Sequence, residues 1–206
     1  VARLFEENIA ANADPRTRAT DHLALASVCL TADRPEPALD HAESSLETAV
    51  NATFNRALRI GALALMRIGD PAGAFEKADT LRKRAEMLPS DCEMRRWHQL
   101  RGELALEEGD IDRAVAELEE ARSMLPPGPT DIFGGPQVPL WDSLAKAYIA
   151  AGEDSKAEML LEKILSSGTM RISREFLWVR CHYALAQIRE RRGDVEEARR
   201  LYRRFY

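Results

Sequence analysis

The chain has 206 residues, 45% of them hydrophobic, 31% charged and only 6% aromatic, with a formal net charge of -5. That length can bury a sizeable core, the composition suits a helical protein better than a β-sandwich, and the acidic balance gives no general reason to expect nucleic-acid binding. No apolar run approaches the roughly 20 residues that span a bilayer, and no signal-peptide pattern opens the chain, so a soluble, cytoplasmic protein without membrane insertion is expected.

In chain order, residues 1 to 14 read as the second helix of a preceding unit, and a helix-turn-helix unit follows at 15 to 50. Its second helix opens in TADRPEPALDHAESSL, residues 31 to 46. The next unit, 51 to 89, turns at RIGDPAGAFEKADTLR, and the unit at 90 to 126 turns at EGDIDRAVAELEEARSMLP. Ser90 with Glu93 forms a capping-box signature that starts a first helix near residue 91 and lets it run to about 108. Residues 126 to 139, PPGPTDIFGGPQVP, are too rich in Pro and Gly to be helical. An ordered loop is predicted there, anchored by Ile132, Phe133 and Val138. The last two units, 138 to 169 and 172 to 206, turn at AAGEDSKAEMLLEKIL and RRGDVEEARRLYRRFY. Ser173 is placed to start a helix that ends near Arg192.

These turns align. Ala38, Ala74, Ala114, Ala157 and Ala198 fall in register at separations of 36 to 43 residues, within the range of helical repeat arrays. Gly69, Gly109, Gly152 and Gly193 each follow an amphipathic run, where a residue without a Cβ most easily takes the left-handed conformation that ends a helix. Asp33 stands where the first unit lacks that glycine. Asp70, Asp110 and Asp194 are placed to cap the following helix, Glu197 completes a capping-box-like pair with Asp194, and Pro35 and Pro71 occupy a first turn. The alanines let two helices approach closely, and Leu118, Leu161 and Tyr202 fill the adjoining layer. Upstream, Trp141, Leu144, Ala145 and Tyr148 form one stripe at helical spacing before Gly152.

This pattern resembles the tetratricopeptide repeat, with its large-x2-Leu-Gly/Ala-x2-Tyr first helix and Ala-x3-Phe/Tyr second helix. The match is best over 138 to 169. The resemblance implies an all-α, right-handed α-α superhelix of about five helix-turn-helix units with extended first helices, one solenoid domain over 1 to 206. The long-helix units at the C-terminal end also resemble, less specifically, the repeat region of multidomain bacterial signalling proteins, including serine/threonine kinases. A start at Val1 and a stop at Tyr206 inside an amphipathic run fit a piece of a longer chain.

No GxGxxG, GxxxxGK[ST], HExxH or GxSxG is present, so no catalytic residue, metal site or cofactor is assigned. Cys29, Cys92 and Cys181 are an odd number, far apart and without a CxxC, and read as free thiols. His22, His98 and His182 share one repeat position where a bulky packing residue is usual. They are expected to be partly buried substitutes for an aromatic, with a pH-sensitive core as the alternative.

In the resembled family, first helices line an inner concave surface. The corresponding positions here include Arg56, Arg59, Arg67, Arg96, Gln99, Glu103, Asp142, Lys146, Arg180, Tyr183 and Gln187, with Phe133 at the groove edge. Adding Glu107, Glu190 and Arg191, basic groups outnumber acidic ones, which favours an acidic peptide because arginine holds carboxylates in bidentate fashion. The Lys and Asn pair by which related repeats hold chaperone tails is missing: those positions read Arg59/Leu63, Gln99/Glu103, Asp142/Lys146 and Tyr183/Gln187. The resulting expectation is a noncatalytic protein- or peptide-binding scaffold. The alternatives are self-association as a homo-oligomer through an apolar face of Val195, Ala198, Leu201, Tyr202 and Phe205, or a ligand-sensing regulatory domain.

Overall fold

A computed structural model describes residues 2–11, 14–87, 91–125, 137–166 and 175–205, and among them every regular element is an α-helix. The helices are α1 (Ala2–Ala11), α2 (Pro15–Thr31), α3 (Pro35–Leu46), α4 (Asn51–Ile68), α5 (Pro71–Met87), α6 (Asp91–Glu108), α7 (Ile111–Ser123), α8 (Gln137–Ala150), α9 (Asp154–Ser166), α10 (Glu175–Arg191) and α11 (Val195–Phe205). The chain divides into two compact units, Val1–Glu108 and Gly109–Tyr206.

The turns form for the reasons their residues supply. Gly69, Gly109, Gly152 and Gly193 all have positive φ, and Asp33, at φ 55°, is the non-glycine residue with positive φ among the described ones. Each following aspartate caps as its side chain allows. Asp70 Oδ1 accepts from Gly73 N at 3.0 Å, Asp110 Oδ1 from Arg113 N at 3.2 Å and Asp194 Oδ1 from Glu197 N at 3.4 Å. The Glu197 carboxylate reaches forward to Arg200 at 2.6 Å, in addition to the cap its own N–H makes.

In the first unit, successive helices pack as hairpins, α2 on α3 and α4 on α5, while α2 meets α4 and α4 meets α6. One core cluster joins Leu58, Ala62 and Leu63 of α4 to Ala74, Ala78 and Leu81 of α5 and to Leu100 and Leu104 of α6. Another joins Leu23 and Ala26 of α2 to Ala42 of α3 and to Ala57 and Ile60 of α4. In the second unit, α8 packs on α7 and α9, and α10 packs on α9 and α11.

The aligned alanines are the crossing points. Ala38, Ala74, Ala114 and Ala157 are fully buried and Ala198 nearly so. A methyl is the largest group such a crossing accepts without displacing a helix. Leu118 and Leu161 are buried as expected, whereas Tyr202 is half-buried and Leu201 fills the core beside it.

Two further details differ from the sequence reading. Helix α8 begins at Gln137, inside the stretch expected to be loop, and Val138 anchors it by being fully buried. Ala198 and Leu201 are covered within their own unit and so do not belong to an exposed apolar face, although Val195 is 48% exposed. Ser90, Pro126, Phe133 and Ser173 lie outside the described residues. No described helix is long and apolar enough to cross a membrane.

Candidate functional site: charged ladders on the first helices

Helices α4 and α6 are joined by a row of polar contacts along facing sides. Asn55, buried in α4, donates to Glu93 Oε2 at 2.5 Å and accepts from Arg84 Nε at 2.9 Å. One turn on, Arg59 grips Glu103 in bidentate fashion, Nε to Oε2 at 2.6 Å and Nη2 to Oε1 at 2.5 Å. Gln99 adds a third donor to Glu103 Oε1 at 3.0 Å. Two turns further, Arg67 donates to Glu107 Oε1 at 2.9 and 2.7 Å and to the Leu30 carbonyl of α2 at 2.9 Å.

This row explains why charged residues sit where the first helices stack. Glu103 is only 6% exposed, and a buried carboxylate persists when its lone pairs are filled by charge-assisted donors. Gln99 and Glu103 are therefore internal supports for Arg59 rather than exposed contact residues. Arg96 pairs with Glu93, the residue whose sequence position suggested a capping box. Arg56 is exposed on the same helix as Arg59.

In the second unit, Asp142 of α8 is approached by two cations, Lys146 Nζ at 3.3 Å and the Arg180 guanidinium of α10. Burial pushes the Asp142 carboxyl up, yet Lys146 and Arg180 outweigh that and hold it below the ordinary carboxylate range. Asp142 is 13% exposed, Lys146 47% and Arg180 39%. One sheltered negative charge thus faces two accessible positive ones. Tyr183, one turn past Arg180, is 40% exposed and its ring lies 5.7 Å from that of Tyr202. Gln187 is half-buried one turn further along α10.

The structure thus gathers Arg59, Gln99 and Glu103 into one cluster and Asp142, Lys146 and Arg180 into another. Arg191 is taken by Asp154 at 2.5 Å, an acid outside the expected set, as Glu93 is for Arg96. The positive excess of the first-helix positions is correspondingly smaller than their residue types implied. Asn55 was not anticipated as a member. Its signal was present in the sequence, since it lies four residues before Arg59 and so on the same helical face.

Beside Asp142, burial pushes the Cys181 thiol up to about 12, which keeps it protonated and inert. His182 is buried against Trp178, ring centroids 4.2 Å apart, as its repeat position suggested. An open cleft of about 680 Å³ lies at α10 and α11, away from Lys146, and its walls include the ion pairs Arg199–Glu196 and Arg200–Glu197. A smaller one of about 240 Å³ is lined by Glu43, Leu58, Gly73 and Lys77.

Comparison with known proteins places this geometry. The chain is similar to TTC0263, a thermophilic TPR protein of Thermus thermophilus, at TM-score 0.61 and 20% identity, over 91% of this chain and 89% of that one. It is also similar to kinesin light chain TPR-like repeats from Podosopora anserina, at TM-score 0.52 and 19% identity over 94% and 95% of the two chains. A third solved structure, MamA 41-end from Desulfovibrio magneticus RS-1, matches at TM-score 0.50 and 17% identity over 91% and 92%. No protein-family model matches the sequence, and no curated protein matches it. The chain has an all-α fold of the TPR-like solenoid class, as its repeat pattern implied. None of the three is described as a signalling kinase.

Proposed function

We propose that the chain is a noncatalytic scaffold that binds a protein or peptide through the exposed faces of its first helices. The observation that carries this reading is the Asp142 cluster. Two part-exposed cations share one sheltered carboxylate, so Lys146 and Arg180 retain donors and a local positive charge directed by packing rather than by chance. The chemistry suits a carboxylate of an acidic peptide, with Tyr183 offering an adjacent ring edge. In the first unit exposed Arg56 extends the same reading, while Arg59, Arg67 and Arg96 are paired with Glu103, Glu107 and Glu93 and add little excess charge. Self-association has less support, because the face that suggested it is largely covered within its own unit.

The test is fluorescence anisotropy on a set of peptides of equal length whose net charge runs from negative to positive. Acidic peptides should bind, binding should weaken with added salt, and Lys146→Glu with Arg180→Glu should abolish it. Binding that favours basic peptides, or that is unchanged by the charge reversals, contradicts the reading.

A further inference from the structure

His22 of α2 and His41 of α3 face one another, with Nδ1 to Nδ1 at 3.1 Å. The ring centroids are 5.4 Å apart, longer than the nitrogen separation by the two ring radii, so both nitrogens lie on the line of centres. Each Nδ1 lone-pair direction therefore runs straight at its partner, which is the alignment of an N–H···N hydrogen bond. Two nitrogens converging on one metal ion would instead bend the rings together and shorten the centroid distance at the same N···N separation.

We propose that this contact is an acid-released latch between α2 and α3, closed while one proton sits between the two Nδ1 atoms and opened when both rings are protonated. With one ring donating and the other accepting, the bond forms between neutral rings and strengthens when one becomes imidazolium. A second proton leaves two N–H groups pointing at each other and two positive rings in contact. His22 resists protonation, held below the ordinary imidazole value first by burial and then by the charge that His41 would carry.

The surrounding charges do not remove the effect. Glu47 and Asp21 favour protonation of His22, and Arg18 opposes it. On α3, Asp40 flanks His41, and Glu43 is engaged by Lys77 at 2.5 Å. Of the other helices packed here, α1 carries exposed Glu6 and Glu7, and α4 carries Arg56, Arg59 and Arg67, the last two bound to Glu103 and Glu107. A base whose folded pKa lies below its unfolded value contributes stability that is whole above the unfolded value, 6.5, and is lost as pH falls through the folded one. The latch therefore works at neutral pH and fails in acid. Two uncharged contacts across this hairpin do not depend on the rings: Ser45 Oγ donates to the Ala19 carbonyl at 2.8 Å and Thr48 Oγ1 to the Pro15 carbonyl at 3.1 Å.

This inference stands on the α2–α3 geometry and is independent of the peptide-binding reading. It is tested by amide hydrogen exchange of the whole chain between pH 7.5 and 4.5, corrected for intrinsic rates, comparing α2 and α3 with the histidine-free helices α8 and α9. Protection of α2 and α3 should fall severalfold relative to α8 and α9, and His41→Gln, which keeps a hydrogen-bonding group without a charge, should abolish that difference. Imidazole resonances supply a second reading: His22 is expected to titrate below the ordinary imidazole value in the unmodified chain and to move up towards it in His41→Gln. An unchanged protection ratio, an equal fall in His41→Gln, or a His22 titration that His41→Gln leaves where it was overturns the proposal.

Discussion

Asp33 and Gly152 hold equivalent places in their turns, yet only one of them is suited to its backbone. Asp33 takes a left-handed φ of 55° with a Cβ present, while Gly152 takes φ 74° without one. A Cβ added at Gly152 would meet nothing within 4 Å, so any cost there is conformational and not steric. Gly152→Ala should destabilise the fold by about 1 kcal/mol, and Asp33→Gly should stabilise it by about 0.5 kcal/mol. The gain is smaller because aspartate tolerates this region and because glycine loosens the unfolded chain. Asp33 also lies 3.7 Å from Arg67, but at 89% exposure that ion pair adds little. Urea denaturation of the two variants checks both signs, and equal shifts in one direction would contradict the assignment of the two turns as equivalent. The glycine turns were legible in the sequence because a positive φ leaves a residue-type signature. The aspartate caps were legible for a similar reason, since an Ncap carboxylate must sit a fixed number of residues before the N–H it accepts.

At the scale of elements, the hairpins follow from local rules and the stacking of hairpins does not. Local spacing placed α6 at Asp91–Glu108 and α10 at Glu175–Arg191 within a residue or two of expectation, because caps and amphipathic period are short-range properties. Which polar groups would meet across α4 and α6 depended on partners 38 to 44 residues away, as in Asn55–Glu93 and Arg59–Glu103. Single-helix spacing puts these groups on the right face but cannot say that they will pair. For the same reason Gln99 and Glu103 read as exposed while they are buried. The pairing carries an energetic consequence. Arg59→Leu removes the bidentate guanidinium from buried Glu103, and should cost about 3 kcal/mol. Adding Glu103→Leu should recover most of that loss, since the buried carboxylate that lost its guanidinium is then gone. Thermal unfolding of the single and double variants decides the point: a double variant as unstable as the single one would show that packing and not charge compensation sets the cost.

At the scale of the whole chain, five aligned turns and an all-α fold of the TPR-like class agree, and the net charge of -5 coexists with a few cationic points on first helices. The sequence made those points visible as residue types at repeat positions, but not their neutralisation by Glu93, Glu103, Glu107 and Asp154. Around Asp142 two accessible cations of first helices meet one sheltered carboxylate, which is why the functional reading is centred there. The most direct measurement is an NMR footprint of an acidic peptide on the isotopically labelled chain. The account predicts shifts concentrated on α8 and α10 around Lys146, Arg180 and Tyr183, saturating with peptide and reduced by salt. Shifts confined to the second helices α9 and α11, or none at saturating peptide, would contradict it.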